Sequence, residues 1–402
     1  MNDNIVIVGG GHAAAQLCAA LAEAGQGSRV HLVCEVALLP YQRPPLSKGY
    51  LKQATEAPQL FRDAAWYAAQ GVQLHLGDGV VAIDRAGKRI RLSSGAELAY
   101  GKLVLATGTR ARTLPSLHTP LQNVRTLRNV ADADAMRACL LREGAGSLTV
   151  VGGGFNGLEG AATARQLGWE VQVLEAAPRL LARAASPELS AHVLQFHRGL
   201  GTQVNLYTSV GHSEHDGTRL QSLQVNGTRH AVDQLLLGIG AVPETALAHA
   251  AGLQMDNGIH VDAHMVSSDP DILAAGDCTA FEYEGRRIRL ESVQNANDQA
   301  KVAAATLLGQ DASYRPTPFF WSDQGGLRLQ MAGLWRNGLE CVLRPGAAAT
   351  SFSLFHYEGD RLVAVESVNA PVDHMMSRKI LEKGASPGRE LVADPKVALK
   401  SL

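Results

Sequence analysis

Two short glycine patterns carry the plainest chemistry in the sequence. Gly9-x-Gly11-x-x-Ala14 follows the apolar run Ile5 to Val8, and Gly152-x-Gly154-x-x-Gly157 follows the apolar run Leu148 to Val151. Glycines at this spacing make a tight turn, let a backbone approach a pyrophosphate, and leave the anion at a helix N-terminus. Each pattern is followed by an alanine-rich helical stretch (Ala13 to Ala24; Gly157 to Leu167), a glycine, and a second apolar run that ends in an acid, Glu35 or Glu175. A carboxylate there suits a ribose diol. The β-α-β order therefore occurs twice and predicts two parallel-sheet, Rossmann-like dinucleotide-binding domains. Beside Glu175, Ala176-Ala177-Pro178 offers no immediate basic clamp for a 2′-phosphate, so NADH is expected over NADPH, a preference that Arg179 and Arg183 soften.

Two dinucleotide sites in one chain imply a division of labour in which a nicotinamide delivers hydride and a bound flavin accepts it. No general acid or base is obvious, and hydride transfer needs none; proximity and orientation of two rings supply most of the catalysis. Lys48, in the Pro-stiffened segment Arg43-Pro44-Pro45-Leu46-Ser47, is placed to stabilise negative charge on a reduced flavin. Glu159, in the first turn after the second glycine loop, is a candidate partner for Lys48 and for the nicotinamide, against the simpler role of a helix-start carboxylate.

Around these residues the chain of 402 residues is long enough for two or three domains. Its 37 basic and 38 acidic side chains leave a net charge of -1, which gives no global sign of nucleic-acid binding. Met1 to Asn4 run straight into an apolar stretch, so no signal peptide and a cytoplasmic address are expected. No apolar run approaches the roughly 18 residues of a membrane span. The five cysteines, Cys18, Cys34, Cys139, Cys278 and Cys341, have neither C-x-x-C nor metal-ligand spacing, so neither a metal site nor a dithiol centre is expected. Val72 to Leu76, the hairpin-like Val80 to Leu92, Leu103 to Ala106, Gln234 to Ile239 and Ile272 to Ala275 suit insertions and returning strands of the first domain. Beyond Pro316, alternating runs at Leu327 to Leu334, Glu340 to Leu343, Ser351 to His356 and Leu362 to Ser367, closed by a helix at Met375 to Glu382, predict a third, α+β domain.

Tyr41-x-Arg43-Pro44-Pro45-Leu46-Ser47-Lys48, Ala106-Thr107-Gly108, Gly152 to Glu159, Ala274-Ala275-Gly276-Asp277 and Phe320-Trp321-Ser322-Asp323-Gln324 occur in this order. Together they resemble the FAD-dependent ferredoxin reductases of bacterial P450 and Rieske dioxygenase systems, the putidaredoxin reductase type, over nearly the whole chain. The resemblance implies a glutathione-reductase-type α/β flavoprotein with an FAD domain at 1–108 and 243–318, an NAD domain at 109–242 and a C-terminal α+β domain at 319–402. It implies FAD on Gly9, Gly11, Ala14, Glu35, Arg43, Lys48, Val80, Thr107, Arg128, Asp277 and Val293, and NAD on Gly152, Gly154, Gly157, Glu159, Glu175 and Arg183. Val293 stands where some members carry Trp, and Asn156 where an aliphatic residue is usual.

With no thiol pair, reducing equivalents would leave the flavin as single electrons, which fits a [2Fe-2S] ferredoxin. The basic run Arg286-Arg287-Ile288-Arg289 suits either a solvated hairpin face or docking of an acidic ferredoxin, and Trp321 either a flavin neighbour or an anchor of the third domain. A redox sensor of the apoptosis-inducing-factor type and an NADH oxidase with another acceptor are the alternatives. Both a monomer and a homodimer suit this fold.

Overall fold

The computed structural model describes residues 3–117 and 121–402. The chain divides into two compact units, one formed by 1–43, 58–110 and 241–316, the other by 44–57, 111–240 and 317–402.

The first unit is built on a five-stranded parallel sheet in the order Ile272–Ala274, Lys102–Leu105, Ile5–Val8, Val30–Cys34, Gln73–Leu76. Ile5–Val8 is buried at every position, as a central parallel strand covered on both faces must be. The helix His12–Glu23 turns Ala13, Ala14, Leu17, Cys18 and Leu21 into the same core as Ala300, Ala303 and Ala304 of the helix Val293–Leu307. The expected hairpin is present as Val80–Asp84 against Arg89–Leu92, with Glu97–Ala99 as a third strand.

The second unit holds two larger sheets. One is parallel, in the order Gln203–Asn205, Glu170–Leu174, Ser147–Val151, Gln234–Leu237, Val124–Arg125. Gln234–Leu237 therefore does not return to the first sheet: Leu148 to Val151 pair with it residue for residue. All four of its residues, Gln234 and three leucines, are buried, and a fully buried run cannot by itself say which of two similar sheets receives it. The other sheet is antiparallel, in the order Phe319–Gln324, Leu327–Gly333, Arg361–Val368, Phe352–Glu358, Glu340–Pro345, followed by the helix Pro371–Glu382. An antiparallel meander, Val210–His215, Leu220–Val225 and Thr228–Ala231, completes the unit. Among the described residues, no helix is long and apolar enough to cross a membrane.

Candidate functional site

Each glycine pattern turns sharply from its first strand into a helix. Gly9 has φ +129°, and a Cβ there would lie 2.2 Å from the Ala106 carbonyl oxygen; Gly152 has φ +103°, and its Cβ would lie 2.5 Å from the Gly238 carbonyl oxygen. Any side chain at either position would be strained and would collide with backbone. Gly157 and Gly238 also approach each other so closely that a Cβ on Gly238 would lie 2.9 Å from the Gly157 Cα.

The helices that follow, His12–Glu23 and Phe155–Gln166, start at Gly11 and Gly154 with no side-chain cap. By contrast, the helices beginning at Val130, Pro187 and Val293 are capped by Asn129, Ser186 and Ser292. The first-turn amides after the two glycine patterns are thus left to a ligand. A Cβ on Gly11 would meet only the Arg43 guanidinium, at 4.0 Å, and one on Gly154 only the Gly238 oxygen, at 3.7 Å. Both turns therefore border open space, the first beside a cation, and these features fit the pyrophosphate of a dinucleotide.

The acids closing the two β-α-β units differ. Glu35 is exposed at the end of Val30–Cys34. Glu175 is folded back: Oε2 accepts from the Gly153 amide at 2.6 Å and Oε1 from the Ala177 amide at 2.7 Å. Arg179 donates to the Ala182 and Ala185 carbonyls and to Ser190 and stacks on Trp335, so its charge is committed within its own loop. Arg183 is exposed, with its guanidinium 3.2 Å from where a Gly240 Cβ would stand.

In the second unit Lys48 and Glu159 meet. The segment 44–57 forms two 3-10 turns, Pro44–Ser47 and Gly49–Lys52. It is tied to the helix Val130–Leu140 by Tyr50 donating to Asp134 and by Arg137 stacking on the Tyr50 ring. Lys48 Nζ lies 2.8 Å from Glu159 Oε2 and also donates to the Pro44 carbonyl at 3.0 Å. Glu159 is only 4% exposed, and a carboxylate so buried needs donors on both oxygens. Ser47 Oγ shares Oε2 with Lys48, and Ser322 Oγ donates to Oε1 at 2.6 Å. The pair is a cation and an anion fixed by the Ser47 and Ser322 hydroxyls and the Pro44 carbonyl, able to present a rooted positive charge.

The remaining candidates fall as follows. Gly9, Gly11, Ala14, Glu35, Arg43, Val80, Thr107, Asp277 and Val293 belong to the first unit; Lys48 and Arg128 belong to the second. Thr107 donates to the Glu244 carbonyl at 2.6 Å, and Val293 opens its helix behind Ser292. Asp277 does not cap a helix: it stands in a turn that leads into the strand Thr279–Tyr283, because Gly276 at φ +90° bends the chain straight back into a sheet. In the basic run, Arg287 pairs with Asp256 and Glu282, and Arg289 with Glu291 while donating to the Asp277 carbonyl; Arg286 is exposed. Trp321 lies half-buried on Phe319–Gln324 in the second unit. All five cysteines are free thiols. Burial raises the pKa of Cys18 and Cys278, and pushes Cys34 and Cys341 up to about 12, which removes the thiolate that redox chemistry needs.

Around Glu159 stand Ser47, Ser322 and Gln324, which lie in the sequence motifs without a role of their own, and His197, which lies in none. Ser322 and Gln324 did carry a signal: two polar residues at i and i+2 on one strand face, both fully buried. His197, in the last turn of the helix Pro187–Gly199, carried none.

The chain matches the Pyridine nucleotide-disulphide oxidoreductase family over residues 3–300 and the Reductase C-terminal family over 319–402. It is 42% identical to the ferredoxin--NAD(+) reductase component of the anthranilate 1,2-dioxygenase system of Burkholderia cepacia, covering 99% of each chain. Among solved structures, the ferredoxin reductase for the CYP199A2 system of Rhodopseudomonas palustris superposes with a TM-score of 0.94 at 40% identity, over 100% of this chain and 99% of that one. The reductase in a covalent putidaredoxin reductase-putidaredoxin complex superposes with a TM-score of 0.93 at 39% identity, over 100% and 98%. Two glycine cradles on parallel sheets, an antiparallel C-terminal sheet and these whole-length matches lead to one conclusion: the chain belongs to the pyridine nucleotide-disulphide oxidoreductase family and carries its reductase-type C-terminal domain.

Proposed function

We propose that this chain is an FAD-dependent NADH:ferredoxin oxidoreductase, moving hydride from NADH to FAD and then single electrons to a [2Fe-2S] ferredoxin that feeds a P450 or Rieske-type oxygenase. The observation that carries the reading is the combination of two open glycine cradles with a Lys48–Glu159 ion pair whose carboxylate is buried, and with five free thiols whose pKa values are raised by burial. Whole-length similarity to proteins named as ferredoxin reductases supports the acceptor. FAD, when bound, takes up two electrons with the hydride and gives them up singly.

In this reading the domains run 1–108 with 243–318 for FAD, 109–242 for NAD and 319–402 for the C-terminal α+β module. Gly9, Gly11 and Ala14 offer amides to the FAD pyrophosphate beside Arg43; Glu35 takes a ribose; Val80, Thr107, Arg128, Asp277 and Val293 complete the FAD site. Gly152, Gly154 and Gly157 cradle NADH, with Glu175 and Arg183 at its adenosine end. Glu175 excludes a 2′-phosphate by charge, and Arg179 is too committed to offset it. Lys48 supplies fixed positive charge where the reduced flavin is negative, and Glu159 holds that ammonium in place. Docking of an acidic ferredoxin uses the basic run through exposed Arg286, with Arg287 and Arg289 partly neutralised by their acids; Trp321 is a separate candidate contact. A cytoplasmic address is supported by five cysteines kept as thiols.

The test is anaerobic rapid mixing of the flavin-loaded protein with NADH and then with an oxidised [2Fe-2S] ferredoxin. Bleaching of the flavin within seconds, followed by loss of the iron–sulfur absorbance, is expected. Bleaching without ferredoxin reduction overturns the acceptor, and absence of bleaching overturns the reductase reading.

A further inference from the structure

Behind Glu159 lies a chain of buried hydrogen bonds that the pairing with Lys48 does not require. Ser322 Oγ donates to Glu159 Oε1 at 2.6 Å, Gln324 Nε2 donates to Ser322 Oγ at 3.1 Å, and Gln324 Oε1 faces His197 Nε2 at 2.8 Å. Ser322, Gln324 and His197 have no exposed surface. The three come from two elements: the strand Phe319–Gln324 brings the first two, and the helix Pro187–Gly199 brings the histidine.

The donor inventory fixes the direction of every link. A serine hydroxyl has one hydrogen; given to the carboxylate, it leaves an oxygen that accepts from the Gln324 amide. The amide oxygen then accepts, so His197 is the donor through Nε2–H. Burial lowers the His197 pKa and keeps the ring neutral, and Nδ1, the acceptor nitrogen of that tautomer, has no partner among the described residues. All three dipoles therefore point toward Glu159. On the other oxygen Ser47 and Lys48 donate, and the Ser47 backbone is itself held by Thr163, whose hydroxyl donates to the Ser47 carbonyl at 3.0 Å. The carboxylate is thus clamped at both ends, and its rotation about the last side-chain bond, ordinarily broad, is reduced to one setting.

We propose that Ser322, Gln324 and His197 are positioning residues that set the orientation of the Glu159 carboxylate, and through it of the Lys48 ammonium, for hydride transfer from NADH. This rests on the reductase reading above. The C-terminal module then has a part in the reaction centre as well as a structural one. Loss of the chain leaves NADH binding in place and slows the chemical step, because a carboxylate free to turn no longer holds the ammonium in one place.

The experiment measures flavin bleaching by NADH, anaerobically and over a range of NADH concentrations, in the flavin-loaded protein and in Ser322→Ala, Ser322→Thr, Glu159→Gln and the Ser322→Ala/Glu159→Gln double variant. The expected result is that Ser322→Ala slows the saturated rate about tenfold while half-saturation moves less than about twofold. Ser322→Thr, which keeps the hydroxyl, restores most of the rate, and Ser322→Ala adds nothing once Glu159 is already Gln. A native rate in Ser322→Ala, or an independent further loss in the double variant, overturns the proposal. If Ser322→Ala sheds its flavin, the same comparison is read on His197→Gln, which keeps an N–H donor and is expected within about threefold of native, against His197→Phe, expected to be about fivefold or more slower; equal rates for the two overturn the proposal. Failure of the native protein to bleach removes the reductase reading itself, a result these ratios cannot mimic.

Discussion

The two β-α-β units begin alike and end differently. After Gly11 the helix His12–Glu23 turns only Ala, Leu and Cys inward, whereas after Gly154 the helix Phe155–Gln166 buries a carboxylate, Glu159. At the far end of each unit, Glu35 stands exposed while Glu175 spends both oxygens on the amides of Gly153 and Ala177. One motif can therefore be used in two ways. The first unit is an inert cradle, suited to a cofactor that stays; the second adds a charged centre and a self-braced loop, suited to a dinucleotide that arrives, reacts and leaves.

The sharpest way to break this contrast is to spoil one turn at a time. Gly9→Ala and Gly152→Ala both impose a side chain at positive φ against a carbonyl oxygen, at a cost of about 3 kcal/mol or more each. Gly9→Ala is expected to yield protein largely without FAD, read from the absorbance ratio of purified protein. Gly152→Ala is expected to stay yellow and to need on the order of 100-fold more NADH for half-maximal bleaching. Equal loss of flavin in both would mean that the two cradles are not divided as proposed.

Glu175→Ala frees two backbone amides and removes the charge that opposes a 2′-phosphate. Each hydrogen bond to a charged group contributes about 1.5 kcal/mol or more, so NADH half-saturation is expected to rise about tenfold, with NADPH use rising relative to NADH; Glu175→Arg should carry that ratio further. An unchanged NADH to NADPH ratio of kcat/KM would leave Glu175 as a loop brace alone.

Replacing all five cysteines by Ala or Ser tests the other half of the contrast, that neither unit uses a thiol. NADH-driven ferricyanide reduction is expected to stay within about threefold of native, since Cys18, Cys34, Cys139 and Cys278 are buried, Cys341 is half-buried, and desolvation raises the pKa of every one. Loss of that activity with FAD still bound would revive a thiol mechanism.

The smallest effect lies away from both cradles. Burial among Arg378, Arg328 and the Phe319 ring lowers the His374 pKa from its ordinary value to about 4. Because the unfolded chain binds this proton near pH 6.5 and the folded chain near 4, the stabilisation is complete above about pH 6.5 and is lost as pH falls toward 4. One pKa unit corresponds to about 1.4 kcal/mol, and with allowance for partial screening the loss is on the order of 2 kcal/mol. Denaturant midpoints measured from pH 7 to pH 4 should fall less steeply in His374→Gln than in the native protein.

Much of the site was legible along the chain. The glycine patterns, Glu35, Glu175 and the candidate pair Lys48 and Glu159 all lie in short local motifs, and local motifs need no knowledge of the fold. The strand Leu327–Gly333 and its antiparallel neighbours announced themselves by alternation. The helix Val293–Leu307 was hidden because its buried face is Gln, Asn and Ala rather than an apolar stripe. Gln234–Leu237, which read by its own residues suits the first domain and by the bounds 109–242 the second, pairs in the second; a strand buried at every position, Gln234 included, has no solvent face to state its neighbours.

By itself, then, the sequence determined where the backbone must turn and where charge stands next to those turns, because glycine spacing, periodicity and charge order are properties of neighbouring residues. Only the tertiary structure decided that Glu175 folds back onto its own loop, that Arg287 and Arg289 spend their charge on nearby acids, and that Ser322, Gln324 and His197 line up behind Glu159. Those are hydrogen bonds between residues as many as 163 positions apart. Their partners are chosen by burial, which forces every polar group shut off from water to find another, and burial is settled only when the whole unit has packed.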